Sequence, residues 1–138
     1  MICVSLSRLL YLSTAYTMLD HQRFNPATTL ARLDNDEALL KMLIGVFAQE
    51  MPIYLNGLTD ALEAGSWALL RAAAHRVKGA SGSLGLNVVY EQALNLEDFC
   101  ASGLADAKPQ EAVKLAHQLI EELAASLEVA NRWAQDPA

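Results

Sequence analysis

The sequence predicts an all-α fold, an up-down-up-down four-helix bundle with an additional N-terminal helix packed on it. Three observations predict it. Apolar residues recur at steps of three and four along most of the chain, the period of a helix with one buried face. The segments with this period are joined by short turns, and short turns force antiparallel neighbours. Only four Pro and seven Gly occur among 138 residues, and Ala and Leu are abundant. A β fold would need alternating apolar and polar segments, and none is found.

The expected division is an N-terminal helical extension over residues 1–23, the bundle over 24–134 and a tail over 135–138. In the extension, Ile2, Val4, Leu6, Leu9, Leu10, Tyr11, Leu12 and Tyr16 form an apolar-rich segment with Arg8 as its only charge before Asp20. It lacks the basic start and the small-residue cleavage site of a signal peptide. It is therefore read as a helix packed on one end of the bundle, although a start at Met18 would omit most of it. His21 falls in the polar connector that follows, and Phe24-Asn25-Pro26 breaks the chain before a short helix over 27–33.

Asp34-Asn35-Asp36-Glu37 is a helix start signal, with a side-chain cap and acids at the positive end of the helix dipole. Leu40, Leu43, Phe47, Met51, Tyr54, Leu58 and Ala61 then mark a long helix from about Asp36 to Glu63. Pro52 lies inside it and is expected to bend or split it. Ala64-Gly65-Ser66 makes a tight turn, and Ser66 caps the next helix, which runs to about Leu84 and stops at Gly85. A further helix starts near Asn87 and presents Val89, Ala93, Leu96 and Cys100 on one side. Gly103 to Lys108 is read as a loop, and Pro109 suits the first turn of a last helix. Its stripe is Val113, Ala116, Ile120, Leu123 and Leu127, with His117 beside it.

Composition narrows the function. The hydrophobic share of 53% and charged share of 19% are those of a globular domain. The formal net charge of −6 argues against nucleic-acid binding, which needs a basic surface to displace counterions. Cys3 and Cys100 lack metal-ligand spacing, so reduced thiols in the cytoplasm are expected. No run reaches about 18 uninterrupted apolar residues, so no membrane span is expected.

The informative stretch is Ala74-His75-Arg76-Val77-Lys78-Gly79-Ala80-Ser81-Gly82-Ser83-Leu84-Gly85. At about 100° per residue, Leu70, Ala73, Val77, Ala80, Ser81 and Leu84 fall opposite His75. Arg71, Lys78, Gly79 and Gly82 fall within about 60° of it. A histidine in an apolar helix is most often a satisfied core residue. Here its neighbours are two cations and two glycines, so it is placed on the outward face. Each mid-helix Gly costs about 1 kcal/mol relative to Ala, so two on one face need a reason. Bare backbone beside the imidazole would let another protein approach closely. Arg71, Arg76 and Lys78 also make a local positive spot on an acidic chain, suited to one anionic group.

The string His75-x-x-Lys78-Gly79 with Gly82 and Leu84-Gly85 resembles the signature of histidine-containing phosphotransfer (HPt) domains. The resemblance continues to Leu96-Glu97 downstream and through Leu58 to Ala74 upstream, covering most of residues 24–132. It implies a phosphocarrier in a two-component, multistep phosphorelay, with no kinase activity of its own. His75 would be the phosphoacceptor, and Lys78 would steady the phosphoryl oxygens. Arg71, Gly79, Gly82 and Glu97 would face the partner, with Glu97 reaching toward the histidine from the neighbouring helix. The implied partners are response-regulator receiver domains and a hybrid sensor histidine kinase. No cofactor is implied for this chain, since Mg²⁺ belongs to the receiver, and a monomer is expected.

Other chemistries fit less well. Gly79-x-x-Gly82-x-x-Gly85 lies within a helix and matches neither a dinucleotide fingerprint nor a P-loop. The nucleotide and Mg²⁺ motifs of a kinase are missing. Paired Glu-x-x-His motifs, which a carboxylate-bridged metal bundle needs, do not occur. Ser81 falls on the apolar side and offers His75 no nucleophilic partner.

Overall fold

The computed structural model describes residues 17–136, and the apolar segment over 1–16 lies outside them. Seven helices follow: α1 (Met18–Arg23), α2 (Pro26–Arg32), α3 (Glu37–Ala64), α4 (Trp67–Leu84), α5 (Asn87–Ala101), α6 (Leu104–Ala107) and α7 (Pro109–Gln135). No strand occurs among the described residues; Phe24 and Leu86 alone make an isolated antiparallel bridge. The protein is an all-α helical bundle.

The helices begin and end where local chemistry says they should. Asp36 accepts from the Leu39 N–H at 3.0 Å and starts α3, and Ser66 does the same for Leu69 at 3.2 Å in α4. Gly65 and Gly85 end α3 and α4 in the left-handed conformation, with φ of 63° and 82°. That conformation costs a residue with a Cβ about 1–2 kcal/mol, which explains both glycines. Each turn is two residues long, so α3, α4 and α5 run antiparallel in sequence. The long helix α7 returns across both α5 and α3 and closes the bundle.

The core is continuous through the four long helices. Leu40, Ile44, Phe47 and Leu58 of α3 meet Leu70, Ala74 and Val77 of α4, with Val89, Ala93 and Leu96 of α5 and Leu119 and Leu123 of α7. Burying one such Leu or Val contributes roughly 1.5–3 kcal/mol, which makes this core the main source of stability.

Several details differ from the sequence reading. Pro52 neither ends nor splits α3, which runs unbroken over 28 residues. It is exposed, while Met51 and Tyr54 carry the buried stripe past it. His21 lies within α1 and not in a connector, because Thr17 and Asp20 form a reciprocal capping box that nucleates this short helix. Part of the stretch Gly103 to Lys108 folds as the single turn α6, which tucks Ala105 inside. The buried face of α7 is Ala112, Ala116, Leu119, Glu122, Leu123, Ser126, Val129 and Ala130. Val113, Ile120 and Leu127 sit at its margin, so the stripe is rotated from the expected one.

The reason for that rotation is polar. Glu122 faces inward because Arg23 of α1 reaches it, Nε to Oε1 at 2.7 Å and Nη2 to Oε2 at 3.4 Å. The Ser126 hydroxyl donates to the same Oε1 at 2.9 Å. Asp20 adds contacts to Arg23 at 3.7 Å and Arg132 at 3.9 Å. This network fastens α1 to α7. Trp133 near the end of α7 packs edge-on against Phe24 with ring centres 6.0 Å apart. Lys41 of α3 lies over its ring at 5.9 Å.

By length and mean hydropathy α3 is apolar enough to cross a membrane, although charged and polar residues interrupt its apolar run. In the bundle its apolar stripe is used instead against α4 and α7.

Candidate functional site

Helix α4 places His75 on the bundle surface, where its side chain keeps 68% of its exposure. Ala74 and Val77 on either side of it in sequence are fully buried, so the helix is locked in rotation by its core face. The exposed direction of His75 follows from that lock. Arg71 and Gly79 are exposed beside it, and Lys78 and Gly82 are half-buried.

Helix α5 runs back along α4 and brings Glu97 against this face. One carboxylate oxygen, Oε1, lies 2.9 Å from His75 Nδ1. The other, Oε2, lies 2.7 Å from Lys78 Nζ. Glu97 thus bridges the two residues, with only 14% of its own side chain exposed. The close pairing with Lys78, and then the hydrogen bond from His75, hold its carboxyl below the usual range, against the opposing effect of burial. Lys78 is raised in turn by Glu97.

An ionised carboxylate only accepts hydrogen bonds, so the proton of a neutral His75 ring sits on Nδ1. Nε2 is left with the lone pair. The side chain that carries it keeps 68% of its exposure, and in this tautomer that nitrogen can act as a nucleophile.

The remaining predicted residues divide. A Cβ on Gly79 would meet nothing within 4 Å, so this glycine leaves open surface next to the imidazole. Gly82 is different: a Cβ there would come to 3.2 Å and 3.3 Å from the Tyr90 ring. Its missing side chain seats an aromatic residue of α5 and does not widen the approach to His75. Lys78, expected to point at an incoming anion, is engaged by Glu97. Arg71 lines a shallow recess with Ala68, Ala72, His75 and Glu97. Arg76 stands on the α3 flank, where its charge is felt by the Tyr54 hydroxyl. The spot of three cations is therefore split among three surroundings. Tyr90 is the neighbour of this face that the sequence reading did not single out, and its spacing of seven from Glu97, two turns on one face of α5, was the available signal.

Among the described residues no three His, Cys, Asp or Glu side chains converge as a metal site. Near Arg71, burial pushes the Cys100 thiol up while the cation pulls it down.

Of the exposed histidines among the described residues, His75 is the one whose ring is shown held by a carboxylate of a neighbouring helix, an open arrangement on the bundle surface rather than an enclosed pocket. The family model of the Hpt domain matches residues 42–131, more than half of the sequence. The chain belongs to the Hpt domain family, whose members serve phosphotransfer in phosphorelays. No curated protein and no solved structure matches it.

Proposed function

We propose that the protein is a phosphocarrier of a multistep two-component phosphorelay, in which His75 exchanges a phosphoryl group with the aspartate of receiver domains. The observation that carries this reading is the hydrogen bond of Glu97 to His75 Nδ1, which leaves Nε2 free on an exposed side chain. Nε2 attacks the phosphorus of an aspartyl phosphate. The N–P bond forms as the P–O bond breaks, and the electron pair leaves with the aspartate carboxylate. Nδ1 keeps its proton, so the phosphorylated ring is cationic and Glu97 stands beside it as counter-charge. The reverse step restores the neutral ring.

Such a transfer needs an in-line approach, and Gly79 leaves room for a partner's backbone over the ring. Mg²⁺ and the aspartate come with the receiver, and no kinase activity is assigned to this chain. A cytoplasmic monomer, charged by a hybrid sensor histidine kinase, fits that role. The test is to load receiver domains with acetyl phosphate, mix each with the full chain and look for acid-labile, base-stable label. Transfer to the wild-type chain and none to His75→Ala is the expected result. Label retained in His75→Ala refutes the site. Partner binding with no phosphohistidine from any donor makes the chain a docking adaptor instead.

A further inference from the structure

We propose, resting on the carrier reading above, that Arg71 is the cation that meets the phosphoryl group, while Lys78 works through Glu97 as a positioning residue. The geometry separates the two. Lys78 Nζ lies 2.7 Å from Glu97 Oε2, and its side chain is 22% exposed. Its charge is already matched by a carboxylate. Arg71 is exposed and makes no ion pair among the described residues. It stands one helical turn before His75, lining the same recess. Lys78 and His75 hold the Glu97 carboxyl down, and Arg71 has no part in this. The guanidinium charge remains available.

The charges around the acceptor nitrogen require this division. The phosphoryl group arrives with negative charge spread over its equatorial oxygens. Glu97 fixes the ring, but it also brings a negative charge close to where those oxygens settle. Lys78 cancels that charge and keeps the carboxylate ionised and aimed at Nδ1. If Lys78 left Glu97 for the phosphoryl group, the carboxylate would lose the cation that holds its second oxygen and fixes its aim at Nδ1. Arg71 reaches the oxygens without opening the clamp, and its planar fork can hold two of them at once.

Single-turnover transfer from the phosphorylated receiver domain that best loads the wild-type chain tests this assignment. R71Q is expected to lower the saturating rate roughly tenfold, less than a buried oxyanion donor would because the site is open. R71K recovers part of the loss. K78Q slows transfer where Glu97 is present and has no effect in an E97Q chain. Carbon-13 titration of the Glu97 carboxyl adds a second reading: K78Q raises its pKa and R71Q leaves it in place. Equal losses from K78Q in both backgrounds, an R71Q chain at the wild-type rate, or a Glu97 titration unmoved by K78Q overturns the assignment. Each of these leaves the carrier reading standing. A wild-type chain that takes no phosphoryl group from any receiver overturns both.

Discussion

A methyl group at position 85 meets two obstacles at once. Gly85 has φ of 82°, where a residue with a Cβ pays about 1–2 kcal/mol. The added carbon would also collide with the hydroxyl oxygen of Thr29 and come to 3.3 Å from Arg32 Nη2. Thr29 is 1% exposed, and its hydroxyl donates to the Leu84 carbonyl at 3.0 Å, pinning α2 to the end of α4. Displacing it leaves a buried acceptor unsatisfied, which costs about 1–3 kcal/mol. The gain from stiffening the unfolded chain offsets only about 0.4–1 kcal/mol. Gly85→Ala should therefore destabilise by about 2–4 kcal/mol, a drop of roughly 1–2 M in the urea midpoint. Gly65→Ala is the control, since it shares the positive φ of 63° but has nothing within 4 Å of a new Cβ. It should cost only about 1 kcal/mol. Urea unfolding followed by circular dichroism measures both. Equal costs at the two positions would refute the argument from Thr29, as would an undiminished cost of Gly85→Ala in a Thr29→Ala background.

Other perturbations read other parts of the molecule. Arg23→Met should destabilise by about 2 kcal/mol, below the 3–5 kcal/mol of a fully buried pair because the Arg23 side chain keeps 22% exposure. Adding Glu122→Met should restore most of that loss, and thermal melts of the single and double variants check it. Gly79→Ala meets open space within a helix, so it should stabilise the fold by roughly 0.5–1 kcal/mol. The same change should slow loading from a receiver, seen by comparing urea midpoints with transfer rates. The pH dependence has a definite sign at both ends of the Lys78–Glu97 pair. Glu97 is depressed, so its contribution is present above the ordinary carboxyl pKa and is lost as pH falls through the folded value. Lys78 is raised, so its contribution is present below its ordinary value of 10.5 and disappears as pH climbs through the folded one. Nitrogen-15 spectra should accordingly show the His75 Nδ1–H bond intact at neutral pH and released in acid.

Much of the molecule was written in short-range pattern. Asp36, Ser66, Gly65 and Gly85 act on backbone within four residues of themselves, so the ends of α3 and α4 could be read directly. The phase of His75 is of the same kind, since it depends only on which neighbours at three and four steps are apolar. Pro52 shows where a local rule fails. A helix packed along its length continues as one element through one missing hydrogen bond, so of the two expected outcomes the split does not occur, and no rule confined to neighbouring residues reports that packing.

What the sequence by itself determined was thus the four long helices, their antiparallel order and the outward face of His75, because each follows from helical period and turn length. Only the tertiary structure decided what meets across the helices. Glu97, which the family resemblance had reaching toward His75, also takes Lys78 from 19 residues away, Tyr90 fills the space that Gly82 leaves, and Arg23 finds Glu122 from 99 residues away. Those meetings depend on the axial register and rotation of one packed helix against another. Register and rotation are set by how the whole core interlocks, so no single segment carries them.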